Sequence, residues 1–262
     1  MEIEAITELI ETLRGENGCP WDKKQTPRTI VVYLLEEVYE LLEAIELGEH
    51  DNVCEELGDV LFHIFFLVSL FQEKGHFDIE SVVNLNVKKM TRRHPHVFGQ
   101  DRVKSADEVR ERWHKIKMKE KNHTSKASIL ESVPATLPAL MRAYRISERA
   151  AKIGFDWRDI FGVLKKVEEE WIELKTVLKR QNRTSKEKDL LALEFGDVLF
   201  TLVNVARFAQ IHPETALRSS TNKFKKRFKY MEKCISNSRR NIESFSQEEM
   251  DVLWGEAKEK IG

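Results

Sequence analysis

TIVVYLLEEVYELLEAIELGEHDNVCEELGDVLFHIFFLVSLFQE, residues 29–73, decides the fold of this chain. In its first part, 29–47, Leu34, Leu35, Val38, Leu41, Leu42 and Ile45 recur at three- and four-residue intervals, with Glu36, Glu37, Glu40 and Glu43 set between them. That is the period of an amphipathic helix. Gly48 ends it. The second part, 49–73, is apolar nearly all round from Val60 to Val68, the pattern of a helix buried on several sides, and Gly75 stops it. Working outward, residues 3–14 place Ile6, Leu9, Ile10 and Leu13 on one stripe before Gly15 and Gly18. A Cys-Pro-Trp-Asp turn follows at 19–22. Residues 79–93 form a further helix with a basic end, closed by His94-Pro95 because the residue before proline resists helical geometry. The expected class is all-α.

Within the opening stretch, Glu36-Glu37-x-x-Glu40 is followed by Glu56-x-x-Asp59, and the same pattern returns as Glu169-Glu170-x-x-Glu173 followed by Glu194-x-x-Asp197. Other landmarks repeat in the same order. Trp21 is answered by Trp157, Lys89 and Arg93 by Lys223 and Arg227, and Trp113 by Trp254, at offsets between 133 and 141 residues. This is a tandem duplication. It predicts two tandem helical-bundle domains, 1–123 and 128–262, joined across a polar, lysine-rich stretch that precedes Pro134 and Pro138.

Lysine and arginine total 43 against 44 aspartate and glutamate, a formal charge of -1, which gives no global drive toward nucleic acid or an anionic membrane. Cys19, Cys54 and Cys234 are odd in number and widely spaced, so neither a disulfide framework nor a zinc site is indicated and a reducing cytoplasm fits best. The opening MEIEAITELIETL is acidic, and no stretch reaches the ~18 consecutive apolar residues of a membrane span. The expectation is a soluble, cytoplasmic chain without nucleic-acid or membrane partners.

On a helix, residues three or four apart share a face, so Glu37 with Glu40 and Glu56 with Asp59 would present oxygens from two neighbouring helices. Such a cluster repels itself unless a hard cation sits in it, and magnesium takes oxygen ligands of this kind together with substrate phosphates. The expected Mg2+ ligands are Glu37, Glu40, Glu56 and Asp59 in the first copy and Glu170, Glu173, Glu194 and Asp197 in the second. Glu36 and Glu169 are the spare acids, available to orient water or accept its proton. A single Glu-x-x-Glu would be read as a solvated face; two ordered copies favour the metal. A di-iron site would want Glu-x-x-His pairs, whereas in these motifs the third-position residues are Glu and Asp. His63 follows Asp59 by four residues, but Thr201 holds that place after Asp197, so His63 is expected to be a buried, hydrogen-bonded core residue. Lys89 with Arg93, and Lys223 with Arg227, put two cations on one helical face for a phosphate chain. Trp113 and Trp254, each upstream of lysines (Lys117 and Lys119 after the first), are candidates to stack a base, against the alternative of a core role.

Asn17-Gly-Cys-Pro-Trp-Asp22, Leu35-Glu-Glu-Val-Tyr-Glu40, Glu56-Leu-Gly-Asp-Val-Leu-Phe62, Arg92-Arg-His-Pro-His-Val-Phe98, Gly154-Phe-Asp-Trp157 and Glu194-Phe-Gly-Asp-Val-Leu-Phe200 resemble signatures of the MazG family of nucleoside triphosphate pyrophosphohydrolases. The resemblance covers essentially the whole chain. It implies all-α NTP pyrophosphatase domains that dimerise, magnesium held by the EExxE and ExxD helices, and hydrolysis of NTP or dNTP to the monophosphate and pyrophosphate. It also implies a catalytic carboxy-terminal copy. The second copy differs from the first in its wider spacing, twenty residues between Glu173 and Glu194 against fifteen between Glu40 and Glu56, and in lacking an Arg-His-Pro-His-Val-Phe counterpart. The competing function is a helical module that binds metal and nucleotide without hydrolysis.

Overall fold

The computed structural model describes residues 3–121, 128–180, 184–238 and 240–262, without the side chains at 3, 107, 110, 111, 114, 117–119 and 121. Every regular element among them is helical, in agreement with the expected class. The chain divides into two compact units, Met1–Ser125 and Lys126–Gly262. The expected joint, 123–128, falls almost wholly outside the described residues.

The first unit contains α1 (Ile3–Arg14), α2 (Pro27–Leu47), α3 (His50–Gln72), α4 (Ile79–Arg93), α5 (Pro95–Phe98) and α6 (Ala106–Lys121). Helix α2 begins two residues earlier than its apolar period indicates. Thr26 caps it through a reciprocal bond with Thr29, and Pro27 stands where a missing N–H costs nothing. Gly48 ends it with φ of 73°, a left-handed conformation that suits glycine, and α2 then packs against α3. The core gathers Ile10 from α1, Ile30 from α2 and Phe65, Phe66 and Leu70 from α3, with Ile6, Phe62 and Ile79 packed on it. Full burial of an aromatic or branched side chain is worth ~1.5–3 kcal/mol, so this cluster is the principal source of the unit's stability.

The motif at 17–22 has a structural explanation. A Cβ on Gly18 would stand 2.2 Å from the carbonyl oxygen of Leu13, so only glycine lets the chain turn this closely over the end of α1. Cys19 N–H donates to that carbonyl at 2.7 Å, and Arg14 Nη1 donates to the Asp22 carbonyl at 2.5 Å.

The second unit contains α7 (Ala139–Lys152), α8 (Ile160–Leu178), α9 (Ser185–Phe208), α10 (Pro213–Asn237) and α11 (Gln247–Ile261). Helices α8 and α9 pair as α2 and α3 do, and α10 lies against α7, α9 and α11. Val163, Leu174, Val177, Val198, Val203, Met231 and Ile235 are buried. Arg207 donates to both carboxylate oxygens of Asp156, anchoring the Gly154-Phe-Asp-Trp157 turn to the end of α9.

Both helix pairs leave apolar side chains in the open. Leu35, Tyr39, Ile45 and Leu57 are about half exposed in the first unit, as are Trp171, Ile172, Leu193 and Phe195 in the second. The expectation that the middle of α3 is buried on several sides holds for Phe65, Phe66 and Val68 but not for Leu61 or Ile64. No described helix is long and apolar enough to cross a membrane.

Candidate metal and phosphate sites

The pairing of α2 with α3 brings Glu37, Glu56 and Asp59 together, one oxygen from each lying within 4.8 Å of the others. The pairing of α8 with α9 does the same for Glu170, Glu173 and Glu194. The two trios differ. Glu40 is exposed and outside the first, though its charge reaches Glu56, while Asp197 is outside the second, though its charge reaches Glu194. Glu36 and Glu169 are both exposed.

Burial, with the charges of Glu40, Glu37 and Asp59, raises the Glu56 carboxyl above its ordinary value, and burial with Glu173, Asp197 and Glu170 does so for Glu194. Glu56 Oε2 is buried without a hydrogen-bond partner, a cost that a cation would remove. This orphaned oxygen, among converging carboxylates, fits a hard divalent ion. A cavity of about 440 Å3 between α1 and α3, lined by Ile10, Arg14, Phe65, Val68, Glu73 and Ile79 among others, shares no residue with the trio.

The structure corrects the reading of His63. It is largely buried and stacks on Tyr33, but its Nε2 lies 3.5 Å from Glu37 Oε1 and its Nδ1 is buried with no partner. It therefore flanks the acidic trio and is not a hydrogen-bonded core residue.

In the second unit the sequence reading missed Lys166. One turn before Glu170, its Nζ lies 2.8 Å from Glu170 Oε1 and 3.4 Å from Glu169 Oε2. The hydrogen bond that Lys166 donates to Glu170 raises the lysine above its ordinary range, and Lys166 in turn offsets part of the upward push on Glu194. The i,i+4 spacing was the available signal; Tyr33 holds the matching place before Glu37.

The basic pairs lie on α4 and α10. Arg93 lies over the Trp113 ring at 5.7 Å, and Arg227 over Trp254 at 5.9 Å, so each tryptophan packs beneath its copy's arginine. Trp254 also meets Phe224 at 5.1 Å, and Trp113 meets His94 at 5.2 Å. Lys89 is half-buried and Lys223 exposed. Lys117 and Lys119 have side chains outside the described residues. Glu120, read in sequence only as part of the lysine-rich stretch, binds Arg92 and Arg93.

Comparison with known proteins gives a consistent result. The family model for the MazG nucleotide pyrophosphohydrolase domain matches twice, at residues 25–98 and 161–231. These segments contain both acidic sets and both basic pairs but neither Trp113 nor Trp254. The chain is 42% identical to the "Nucleoside triphosphate pyrophosphohydrolase/pyrophosphatase MazG" of Thermotoga maritima, over 97% of this chain and 95% of that protein. It is 38% identical to the nucleoside triphosphate pyrophosphohydrolase of Escherichia coli K12, over 98% and 97%. It is also 45% identical to the uncharacterized protein YabN of Bacillus subtilis, over 98% of this chain and 52% of that longer protein.

Proposed function

Because the chain belongs to the MazG nucleotide pyrophosphohydrolase family, we propose that the two acidic helix pairs are magnesium sites serving a nucleoside triphosphate, the second being the main catalyst. The chain is a hydrolase that converts nucleoside triphosphates to the monophosphate and pyrophosphate.

Glu170, Glu173, Glu194 and Asp197 would hold the ion in the second copy, and Glu37, Glu40, Glu56 and Asp59 in the first. Bound magnesium supplies charge neutralisation at phosphate oxygens and a water of lowered pKa. The chain's own groups do the rest. Glu169, exposed beside Glu170, accepts the proton of the attacking water, and Glu36 is its counterpart. Lys223 and Arg227 bind the departing pyrophosphate, as Lys89 and Arg93 would in the first copy, with Trp254 and Trp113 beneath the arginines offering a face to the base.

The half-exposed apolar faces of both helix pairs favour a homodimer, since rows of open leucine, tryptophan and isoleucine on one helix pair ask to be covered. Broad nucleotide tolerance and a cytoplasmic, housecleaning role complete the proposal. The observation that carries it is the repeated convergence of three carboxylates from two helices, with a buried oxygen of Glu56 left unpaired. Incubation of the purified chain with each NTP, with and without magnesium, tests it. Monophosphate and pyrophosphate that form only with magnesium support it; turnover indifferent to chelation refutes the metal assignment.

A further inference from the structure

The two copies treat the same cations differently. In the first, Arg92 and Arg93 converge on one carboxylate from α6: Arg93 Nη2 donates to Glu120 Oε2 at 2.5 Å and Arg92 Nη2 donates to Oε1 at 2.6 Å. Arg93 Nε adds a bond to Oε2 at 3.2 Å. The Arg93 arm of the contact is sheltered, with the Glu120 and Arg93 side chains 19% and 13% exposed, while Arg92 is 63% exposed. Hydrogen bonds from Arg93, then Arg92, hold the Glu120 carboxyl below the usual carboxylate range, so it is charged at neutral pH.

In the second copy Arg227 lies over Trp254 much as Arg93 lies over Trp113, yet it makes no ion pair among the described residues. Its Nε is buried without a hydrogen-bond partner. The cause is legible in the chain. Glu120 stands seven residues after Trp113, and seven residues after Trp254 stands Ile261, which offers no acceptor.

A carboxylate gripped by two guanidinium groups makes the same charge-assisted bonds that phosphate oxygens make, and both anions compete for the same donors. We propose that Glu120 is a built-in substitute for a substrate phosphate, which closes the first copy to nucleoside triphosphate and leaves the second, with Arg227 unengaged, as the copy that takes it. The proposal rests on the reading of Arg93 and Arg227 as phosphate-binding groups. Being tethered, the carboxylate faces Arg93 at an effective concentration of roughly millimolar or above, comparable to a nucleotide pool. The first copy is then a latent triphosphate site, opened by anything that removes the charge on Glu120.

The test is the number of equivalents of a non-hydrolysable α,β-methylene nucleoside triphosphate bound per full-length chain with magnesium, by titration calorimetry. The unaltered chain is expected to bind one, and Glu120→Gln and Glu120→Ala two. Adding Arg93→Ala to Glu120→Gln returns the count to one. Two equivalents in the unaltered chain, or one in both Glu120 variants, overturns the proposal. Hydrogen exchange on the unaltered chain needs no substitution: the analogue should protect α8 to α10 and leave α4 and α6 unchanged, and protection of α4 overturns it. Glu170→Gln with Glu173→Gln separates this from the wider reading. If that pair abolishes the single equivalent while the Glu120 variants gain none, the mask is wrong and the catalytic assignment stands; if it leaves the equivalent intact, the catalytic assignment falls and takes the mask with it.

Discussion

Lys166 Nζ lies 2.8 Å from Glu170 Oε1, so the second acidic trio carries a cation of its own on α8. The first trio has Tyr33 at that place instead of a lysine, and its Glu56 Oε2 has no hydrogen-bond partner among the described residues. A lysine in this position competes with a divalent ion for the same carboxylate. Lys166→Met should therefore strengthen magnesium binding at the second copy, by up to about fivefold for a pair whose lysine is partly exposed. Calorimetric titration of magnesium into both proteins checks it; equal or weaker binding in the variant contradicts the competition.

Phe66 is 1% exposed and sits between α1 and α2 in the first unit's core. Phe66→Ala should cost about 3–5 kcal/mol, combining lost transfer energy with the cavity left behind. Urea unfolding followed by circular dichroism measures this. A loss under 1 kcal/mol would mean that the core has been misplaced.

Glu249 accepts two hydrogen bonds from Arg240, while its other contacts close the cap of α11 with Ser246. The Arg240 guanidinium is the main cause holding its carboxyl down at about 2 from an ordinary 4.5. A depressed folded value stabilises above the unfolded value and is lost on acidification. The melting-temperature gap between the parent and Glu249→Gln should thus be constant above pH 4.5 and shrink between about 4.5 and 2. A gap that widens in acid has the wrong sign.

Ile172 and Leu193 are 59% and 66% exposed on the paired helices of the second unit. If a second chain covers that face, Ile172→Lys or Leu193→Glu should shift sedimentation from dimer toward monomer, because a charge at an apolar interface loses its hydration. A monomeric parent, or dimeric variants, removes the proposed role of this face.

Much of this was legible in the sequence because it is local. Helical period and the glycine at 48 located α2 and α3, and the three- and four-residue spacing of acids put Glu170 beside Glu173 before any tertiary contact was known. The start of α2 was read late because Thr26 and Pro27 act through capping, which carries no apolar period. Glu120 was missed because its partners lie 27 and 28 residues away on another helix, and charge alone does not say which cation it meets. His63 was misjudged because asymmetry between the copies spoke against ligation but said nothing about the Glu37 oxygen beside it.

The most direct measurement is magnesium-dependent turnover of a nucleoside triphosphate by two double variants, with the products separated. Glu170→Gln with Glu173→Gln should lose on the order of 100-fold or more, the upper range for disturbed metal sites, while Glu37→Gln with Glu40→Gln loses far less. The product should be monophosphate with pyrophosphate. Full activity in the first pair, or release of diphosphate with orthophosphate, would contradict the account.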